Sequence, residues 1–375
     1  MAIGFNRPTL LGNEIVYIQQ AIANAHTAGD GEFTRRCQTW LEQRLGAPKA
    51  LLTHSCTGAL EMAAILCGLE PGDEVIMPSF TFVSTANAVV LRGAIPVFVD
   101  IREDTLNIDE TLIEAAITPK TRAIFVVHYA GVACEMDTIM DIAERHGLFV
   151  VEDAAQALMS HYKGRPLGSI GHFSAISFHE TKNVISGEGG ALVLNHSHHI
   201  ARAEIIREKG TNRSGFFRGE VDKYTWMDVG SSFLPSDMIA GFLLAQLEGG
   251  DALLAERCAL WEAYHAGFSE IEMKQRVRRP IVPAECAHNG HLYYLLLEDR
   301  PAREALIAHL RQTGIQALFH YVPLHSSPAG LRFGRTNGDL TVTDSVSDRL
   351  VRMPMWYGLA AQQHLVINTV RRWFT

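Results

Sequence analysis

Residues 177–195 read SFHETKNVISGEGGALVLN. Ser177 and Phe178 close a short apolar run, FSAISF, and ALVLN opens a second; between them stand one lysine, Lys182, and a glycine-rich turn with Gly187, Gly189 and Gly190. A lysine set between two buried strands loses hydration, and an ammonium short of hydration gives up its proton and becomes a usable amine nucleophile. Most lysines are solvated surface charges. The reading of Lys182 therefore depends on what else the chain brings to the same sheet edge.

Upstream, the amphipathic stretch EMDTIMDIAERHG ends on Gly147 and is followed by the apolar run LFVVE, which fits a buried parallel strand with Asp153 at its carboxyl end. That end of an open α/β sheet is where ligands bind. An aspartate there beside a reactive lysine suggests pyridoxal phosphate, which needs a Schiff-base lysine and an acid for its ring nitrogen; the plainer alternative is a helix N-cap opening AAQAL. Further upstream the strand KALLT leads into HSCTGAL, where Ser55 and Thr57 offer hydroxyls and Gly58 a small backbone at the start of the helix ALEMAAILCG. The free amides of such a helix start make a phosphate site, although a simple N-cap looks the same locally. Phosphate cradle, aspartate and lysine follow one another in the chain, all at strand-to-helix edges.

With 375 residues the chain has room for one large and one small domain. A net charge of −8 argues against a general nucleic-acid binder but does not repel a nucleotide-sugar, because charges local to a site outweigh the total. The start, MAIGFNRPTLLGNEI, lacks a signal-peptide pattern, and no apolar run is long enough for a membrane span, so a cytoplasmic protein without membrane partners is expected. Cys37, Cys56, Cys67, Cys134, Cys258 and Cys286 are scattered without a C-x-x-C pair, which indicates neither zinc nor a disulfide framework.

Along the chain, residues 13–46 read as two helices broken at HTAGDGEF. From Lys49 to Asn195 short apolar strands alternate with helices (KALLT, EVIMP, IPVFVD, AIFVVH, LFVVE, FSAISF, ALVLN), which predicts a mostly parallel sheet covered on both faces. TNRSGFFRGEVDKYTW reads as a polar and aromatic loop without periodicity. SDMIAGFLLAQLEGGDALLAERCALWEAYHAGF is a long helical run weakened at Gly249 and Gly250, leading to an α+β part with HLYYLLL and IQALFHY as strands. The expected division is 1–250 and 251–375.

The stretches SCTGALEMA, GDEVIMPSFTFVSTANA, PVFVDI, VHYAG, VVEDAAQA, SFHETKN, EGGALV and FHYVPLH together resemble the DegT/DnrJ/EryC1/StrS sugar aminotransferases, of the aspartate-aminotransferase fold (fold type I), from about residue 5 to the C-terminus. That resemblance implies a large α/β domain plus a small α+β domain, pyridoxal 5′-phosphate as cofactor, and a homodimer in which residues of one subunit close the neighbour's site. It implies Phe82 stacked on the cofactor ring, Gln156 on its hydroxyl and Ser177 on its phosphate, with Lys182 holding the cofactor covalently and Asp153 keeping the ring nitrogen protonated. His320, Tyr321 and His325 of FHYVPLH would face the substrate; no carboxylate or cysteine accompanies the histidines at ligand spacing, so no metal is expected. The resemblance also brings the Gly29–Gly31 loop towards a site. Relatives with GYNxR send an asparagine to the neighbour's cofactor phosphate; here GSSFLP puts Ser232 at that place.

REKGTNRSGFFRGEVDKYTW is similar to the branch that makes dTDP-4-amino-4,6-dideoxygalactose for surface polysaccharide. The resemblance thus implies amino transfer from L-glutamate to C4 of dTDP-4-keto-6-deoxyglucose. Alternatives are the gluco epimer or another nucleotide-linked keto sugar (C3 or UDP-linked). A dehydratase of the same family would carry a histidine in place of Lys182, and a non-catalytic sensor would not need both Lys182 and Asp153. Arg213 and Arg218 lie in this loop of an otherwise acidic chain, and guanidinium groups suit the diphosphate of such a substrate.

Overall fold

A computed structural model describes residues 2–374. The alternating region forms strands β1 (Lys49–Thr53), β2 (Glu74–Pro78), β3 (Ile95–Val99), β4 (Thr121–Val127) and β5 (Phe149–Asp153). A small ribbon follows, β6 (His161–Tyr162) with β7 (Arg165–Pro166), joined later by β10 (Cys286–Ala287). β8 (Phe173–Ser177) and β9 (Gly190–Leu194) are the two strands that flank Lys182. The C-terminal part adds β11 (Tyr294–Leu296), β12 (Arg335–Thr336) and β13 (Leu350–Arg352).

The main sheet has eight strands in the order β1-β9-β8-β5-β4-β2-β3-β12. β8, β5, β4, β2, β3 and β12 are parallel in sequence of contact, whereas β9 runs antiparallel to both β8 and β1. Strands buried on both faces need apolar residues at every position, and side chains of alternate residues reach opposite layers. Ile76, Ile124 and Val150 accordingly join one core cluster, and Val75, Met77, Phe125 and Val151 join the other. Helices Glu14–Ala23 and Glu32–Leu45 match the two expected at the N-terminus; the second ends on Gly46 in the left-handed conformation.

The long helical run breaks at Gly249 into Asp237–Glu248 and Gly250–Gly267, bent by 59°. Leu253 packs into the first core cluster, while Leu260, Trp261 and Tyr264 belong to a third cluster with Val351, Met353 and Ile3. The chain start therefore packs with the C-terminal part, and β12 crosses back to pair with β3. Among the described residues no single helix is long and apolar enough to cross a membrane.

Three expectations change. IQALFHY does not form a continuous strand: it keeps two isolated bridges, Ile315 with Ile3 and Leu318 with Arg352 of β13, and then turns away with Leu318 and Phe319 partly exposed. HLYYLLL keeps strand pairing only over Tyr294–Leu296. Part of the aromatic loop coils into a short helix, Arg213–Phe217.

Candidate functional site

Strand register assembles the site. Gly190 of β9 lies opposite Ser177 on one side and Thr53 on the other, so the ends of β8 and β1 meet the first turn of helix Cys56–Leu66. A Cβ at Gly190 would stand 2.4 Å from the backbone nitrogen of Cys56, closer than any side chain can come, so this approach requires glycine. Ser55 caps the helix by accepting from the Gly58 amide at 3.0 Å, which leaves amides of the first turn without intrahelical partners. Thr57 and Ser84 share a hydroxyl hydrogen bond of 2.7 Å.

These elements open onto a cavity of about 560 Å³ that Lys182, Asp153, Thr57, Phe82, Gln156, Ser177, His320 and Tyr321 all line. Asp153, at 5 % exposure the last residue of β5, accepts from Thr85 Oγ1 at 2.7 Å and from the Ala155 amide at 3.2 Å. Burial pushes its carboxyl above the usual carboxylate range, against those two hydrogen bonds and the charge of Lys182. Thr81 Oγ1 lies 3.0 Å from Thr85 Oγ1; since the Thr85 proton goes to Asp153, Thr81 is the donor there. Burial lowers the pKa of Lys182, Cys56 and Asp153 pull it back up, and Arg352 lowers it further. The amine is thus nearer to its neutral, nucleophilic form than a surface lysine.

Gln156 accepts from the Ala130 amide at 2.7 Å, which fixes its amide so that Nε2 donates to the Tyr321 hydroxyl at 3.0 Å. His320 Nδ1 lies 3.1 Å from the Tyr129 hydroxyl, and burial keeps its imidazole neutral far below the usual histidine range. Phe82, the residue before helix Val83–Val90, is 57 % exposed, so its ring is free to cover a flat ligand.

Four predicted residues lie elsewhere. Gly58 is excluded from the cavity lining: its amide is used by Ser55, and a Cβ there would meet the His54 ring at 2.7 Å, so its smallness serves packing. His325 is turned to Ser79, with Nδ1 at 2.8 Å from the hydroxyl, and to Asp344, with Nε2 at 3.5 Å, so it clasps backbone elements rather than facing the cavity. Arg218 is tied to Glu204 at 2.9 Å and Glu220 at 2.8 Å. Arg213 stacks over Phe217 at 5.1 Å. Neither arginine lines this chain's cavity. The Gly29–Gly31 loop does not line it either: Asp30 pairs with Arg207 at 2.7 Å, and Gly31 lies against the Asp237 carboxylate. Ser232 makes a bridge with Glu208.

Residues that sequence reasoning missed include Thr85, Arg352, Phe5 and His291, all but the first lining the cavity. Asn183 donates to the Asn289 carbonyl at 2.8 Å, so its Oδ1 accepts from His291 Nδ1 at 3.0 Å and the imidazole keeps a lone pair on Nε2. His291 opens the run HLYYLLL, where only its apolar neighbours gave a signal.

The donor set fits pyridoxal phosphate. It offers a desolvated lysine, a buried carboxylate held for a ring nitrogen, amides and hydroxyls at a helix start for a phosphate, and an uncovered aromatic ring. Fold and site together define an α/β enzyme that works through this cofactor. The family model for the DegT/DnrJ/EryC1/StrS aminotransferase family matches residues 10–371, and the chain belongs to that family. It is accordingly a pyridoxal-phosphate-dependent sugar aminotransferase.

The chain is 35% identical over 320 residues to the spore coat polysaccharide biosynthesis protein SpsC of Bacillus subtilis, covering 83% of this chain and 82% of the relative. It is 31% identical over 354 residues to the GDP-perosamine synthase of Caulobacter vibrioides, covering 94% and 92%. Among solved structures it is similar to DesV of S. venezuelae, with TM-score 0.90, 30% identity and coverage of 99% and 98% of the two chains. The aminotransferase TlmJ of Streptoalloteichus hindustanus gives a TM-score of 0.91 at 27% identity, again covering 99% and 98%.

Proposed function

We propose that the protein transfers the amino group of L-glutamate to C4 of dTDP-4-keto-6-deoxyglucose, giving dTDP-4-amino-4,6-dideoxygalactose for surface polysaccharide, in the cytoplasm and as a homodimer. The reading is carried by the juxtaposition of Lys182 and Asp153 in one enclosed cavity and, for the sugar, by the resemblance of residues 207–226. When bound, pyridoxal phosphate supplies an electron sink that lets a proton leave the carbon bearing the amino group.

The chain's own residues do the rest. Lys182, whose pKa burial lowers, would anchor the cofactor through its amine and carry the proton that the donor's α-carbon loses. Asp153, held by Thr85, would keep a proton on the cofactor's ring nitrogen. Thr57, Ser177 and the amides beside them hold a phosphate. Phe82 would cover the cofactor ring and Gln156 address its hydroxyl, with His320 and Tyr321, which line the same cavity, on the sugar's side. The same proposal keeps 1–250 as the N-terminal arm with the large cofactor-binding α/β domain and 251–375 as the small α+β domain.

A second reading, a GDP-linked substrate, is favoured by the relative named GDP-perosamine synthase. Incubating the cofactor-loaded protein with L-glutamate and the dTDP-, GDP- or UDP-linked 4-keto-6-deoxyhexose separates the two. Mass spectrometry identifies which substrate is aminated, and the proton coupling at C4 gives the product's configuration. Amination of the dTDP sugar to the galacto product is expected; sole use of the GDP sugar, or a gluco product, overturns the specific assignment.

A further inference from the structure

His291, just before β11, lines the cavity although it is buried. A chain of hydrogen bonds decides which of its nitrogens carries the proton. Asn289 Nδ2 donates to the carbonyls of Gln156 and Leu158, both at 2.9 Å, which leaves its Oδ1 to accept from the His291 amide at 3.1 Å. The Asn289 carbonyl in turn accepts from Asn183 Nδ2 at 2.8 Å. Asn183 therefore turns Oδ1 towards His291 Nδ1, 3.0 Å away, and Nδ1 must bear the hydrogen. Nε2 keeps its lone pair, and no group among the described residues donates to it. Burial, with Lys182, Arg257, Arg352 and His320 around the ring, holds its pKa well below the usual histidine range, so the imidazole stays neutral and remains an acceptor.

Of the four groups around the ring, three are otherwise engaged. Arg257 spends its guanidinium on the carbonyls of Gly290 and His291. Arg352 donates to the Phe319 carbonyl at 3.3 Å and pairs with no carboxylate among the described residues. His320 shares Nδ1 with the Tyr129 hydroxyl. Lys182 precedes Asn183 in the chain and lines the same cavity, and its Nζ makes no hydrogen bond or ion pair among the described residues. An ammonium in such a place is costly without an acceptor. The ionisable groups that act on Lys182 do not supply one: burial keeps the Cys56 thiol protonated, Asp153 is committed to Thr85 and the Ala155 amide, and Arg352 is itself a cation. We propose that His291 is a positioning residue that receives Lys182 whenever the lysine is free of the cofactor: the ammonium donates to Nε2, and Asn183, the lysine's own neighbour in the chain, keeps Nε2 an acceptor. The proton collected by Lys182 is then held in the cavity for return. This rests on the reading of Lys182 as the lysine that carries the cofactor.

Two variants separate this role from simple support of Asn183. His291→Asn sets an amide nitrogen in the place of Nδ1 and keeps the bond to Asn183, but nothing reaches the place of Nε2. His291→Gln reaches that place with Oε1. Full-length protein freed of cofactor is mixed with pyridoxal phosphate across a range of pH, and the absorbance of the lysine-bound cofactor is followed in time. Only a neutral amine attaches, so the midpoint of rate against pH reports the loss of the Lys182 proton. Lys182→Ala gives the background, the thermal midpoint controls for folding, and the cofactor's own ionisations are common to all the proteins. An accepted hydrogen bond favours the ammonium, so the midpoint is expected about one pH unit lower in His291→Asn than in the wild type, and close to the wild type in His291→Gln. An unmoved midpoint in His291→Asn overturns the proposal; if His291 only holds Asn183, His291→Asn behaves as the wild type and His291→Gln is the damaged one. Where His291→Asn fails to fold, His291→Gln decides alone, since a midpoint lowered there as well overturns the proposal. A wild-type protein that forms no such link, or a Lys182→Ala variant that still forms it, overturns the reading of Lys182 itself and the role of His291 with it.

Discussion

Asp153 has two neighbours with opposite effects on its use: a buried setting that favours the neutral acid, and Thr85, whose hydroxyl favours the carboxylate. A protonated ring nitrogen needs the carboxylate, so the aspartate works only while its partners outweigh burial. Asp153→Asn keeps the shape and removes the charge. The variant is expected to retain bound pyridoxal phosphate, visible in its absorbance, and to lose turnover by orders of magnitude, each factor of ten being about 1.4 kcal/mol of barrier. Turnover near that of the wild type would remove Asp153 from the mechanism. Lys182 and Asp153 were legible in the sequence because each sits at the carboxyl end of an apolar run, and that edge faces ligands whatever the details of packing. Thr85 and Arg352 were not. Thr85 acts through a helix face whose orientation towards β5 depends on tertiary packing, and Arg352 becomes exceptional only when the fold leaves it without a carboxylate.

At the scale of elements, strand ends must be held in register for these side chains to meet. His128, after β4, and Glu152, in β5, form a wholly buried pair at 2.9 Å. His128 Nδ1 accepts from the Cys134 amide, so Nε2 carries the proton given to Glu152. The other donors to Glu152 are the amides of Gly168, Ile170 and Gly171, which lead into β8. One carboxylate thereby ties β4, β5 and the entrance to β8, beside Asp153. Burial pushes its pKa up, but His128 and these amides outweigh it and the net shift is downward. A depressed carboxyl contributes stability above the ordinary glutamate pKa and loses it as pH falls through the folded value. Glu152→Gln places an amide group where two donors converge. It is expected to lower unfolding stability by about 3 kcal/mol at pH 7, with the gap to wild type narrowing as urea titrations are taken into acid. A gap independent of pH would mean that the carboxylate's charge is not what holds the strands. The strands themselves were legible from their apolar runs. The antiparallel course of β9 and the return of β12 to the sheet were not, since both depend on pairing between distant segments.

At the scale of the molecule, residues 211–229 present Phe217 at 70 % and Trp226 at 80 % exposure beside Arg213 and Arg218, yet neither arginine lines this chain's own cavity. Large exposed aromatics grouped on one segment mark surfaces that meet a partner, and closed twofold dimers are the commonest assembly. On the proposed homodimer the segment of one subunit serves the cavity of the other, which reconciles its cations with a diphosphate-bearing substrate. Light scattering is then expected to give a dimer for the active protein. A mixing experiment separates action within one subunit from action across the interface. Lys182→Ala has no nucleophile and should be inactive; Arg213→Ala with Arg218→Ala keeps Lys182 and should bind the nucleotide-sugar poorly. In a mixed dimer acting across the interface, the subunit that keeps Lys182 receives an intact segment from its Lys182→Ala partner. Each mixed dimer then holds one complete site, so re-associating equal amounts of the two variants should recover a substantial fraction of wild-type turnover at low nucleotide-sugar concentration. If the segment serves its own subunit, every site in the mixture lacks either the lysine or the arginines. Activity would then stay at the level of the separate variants, and the assignment of residues 211–229 to the neighbouring site would fail.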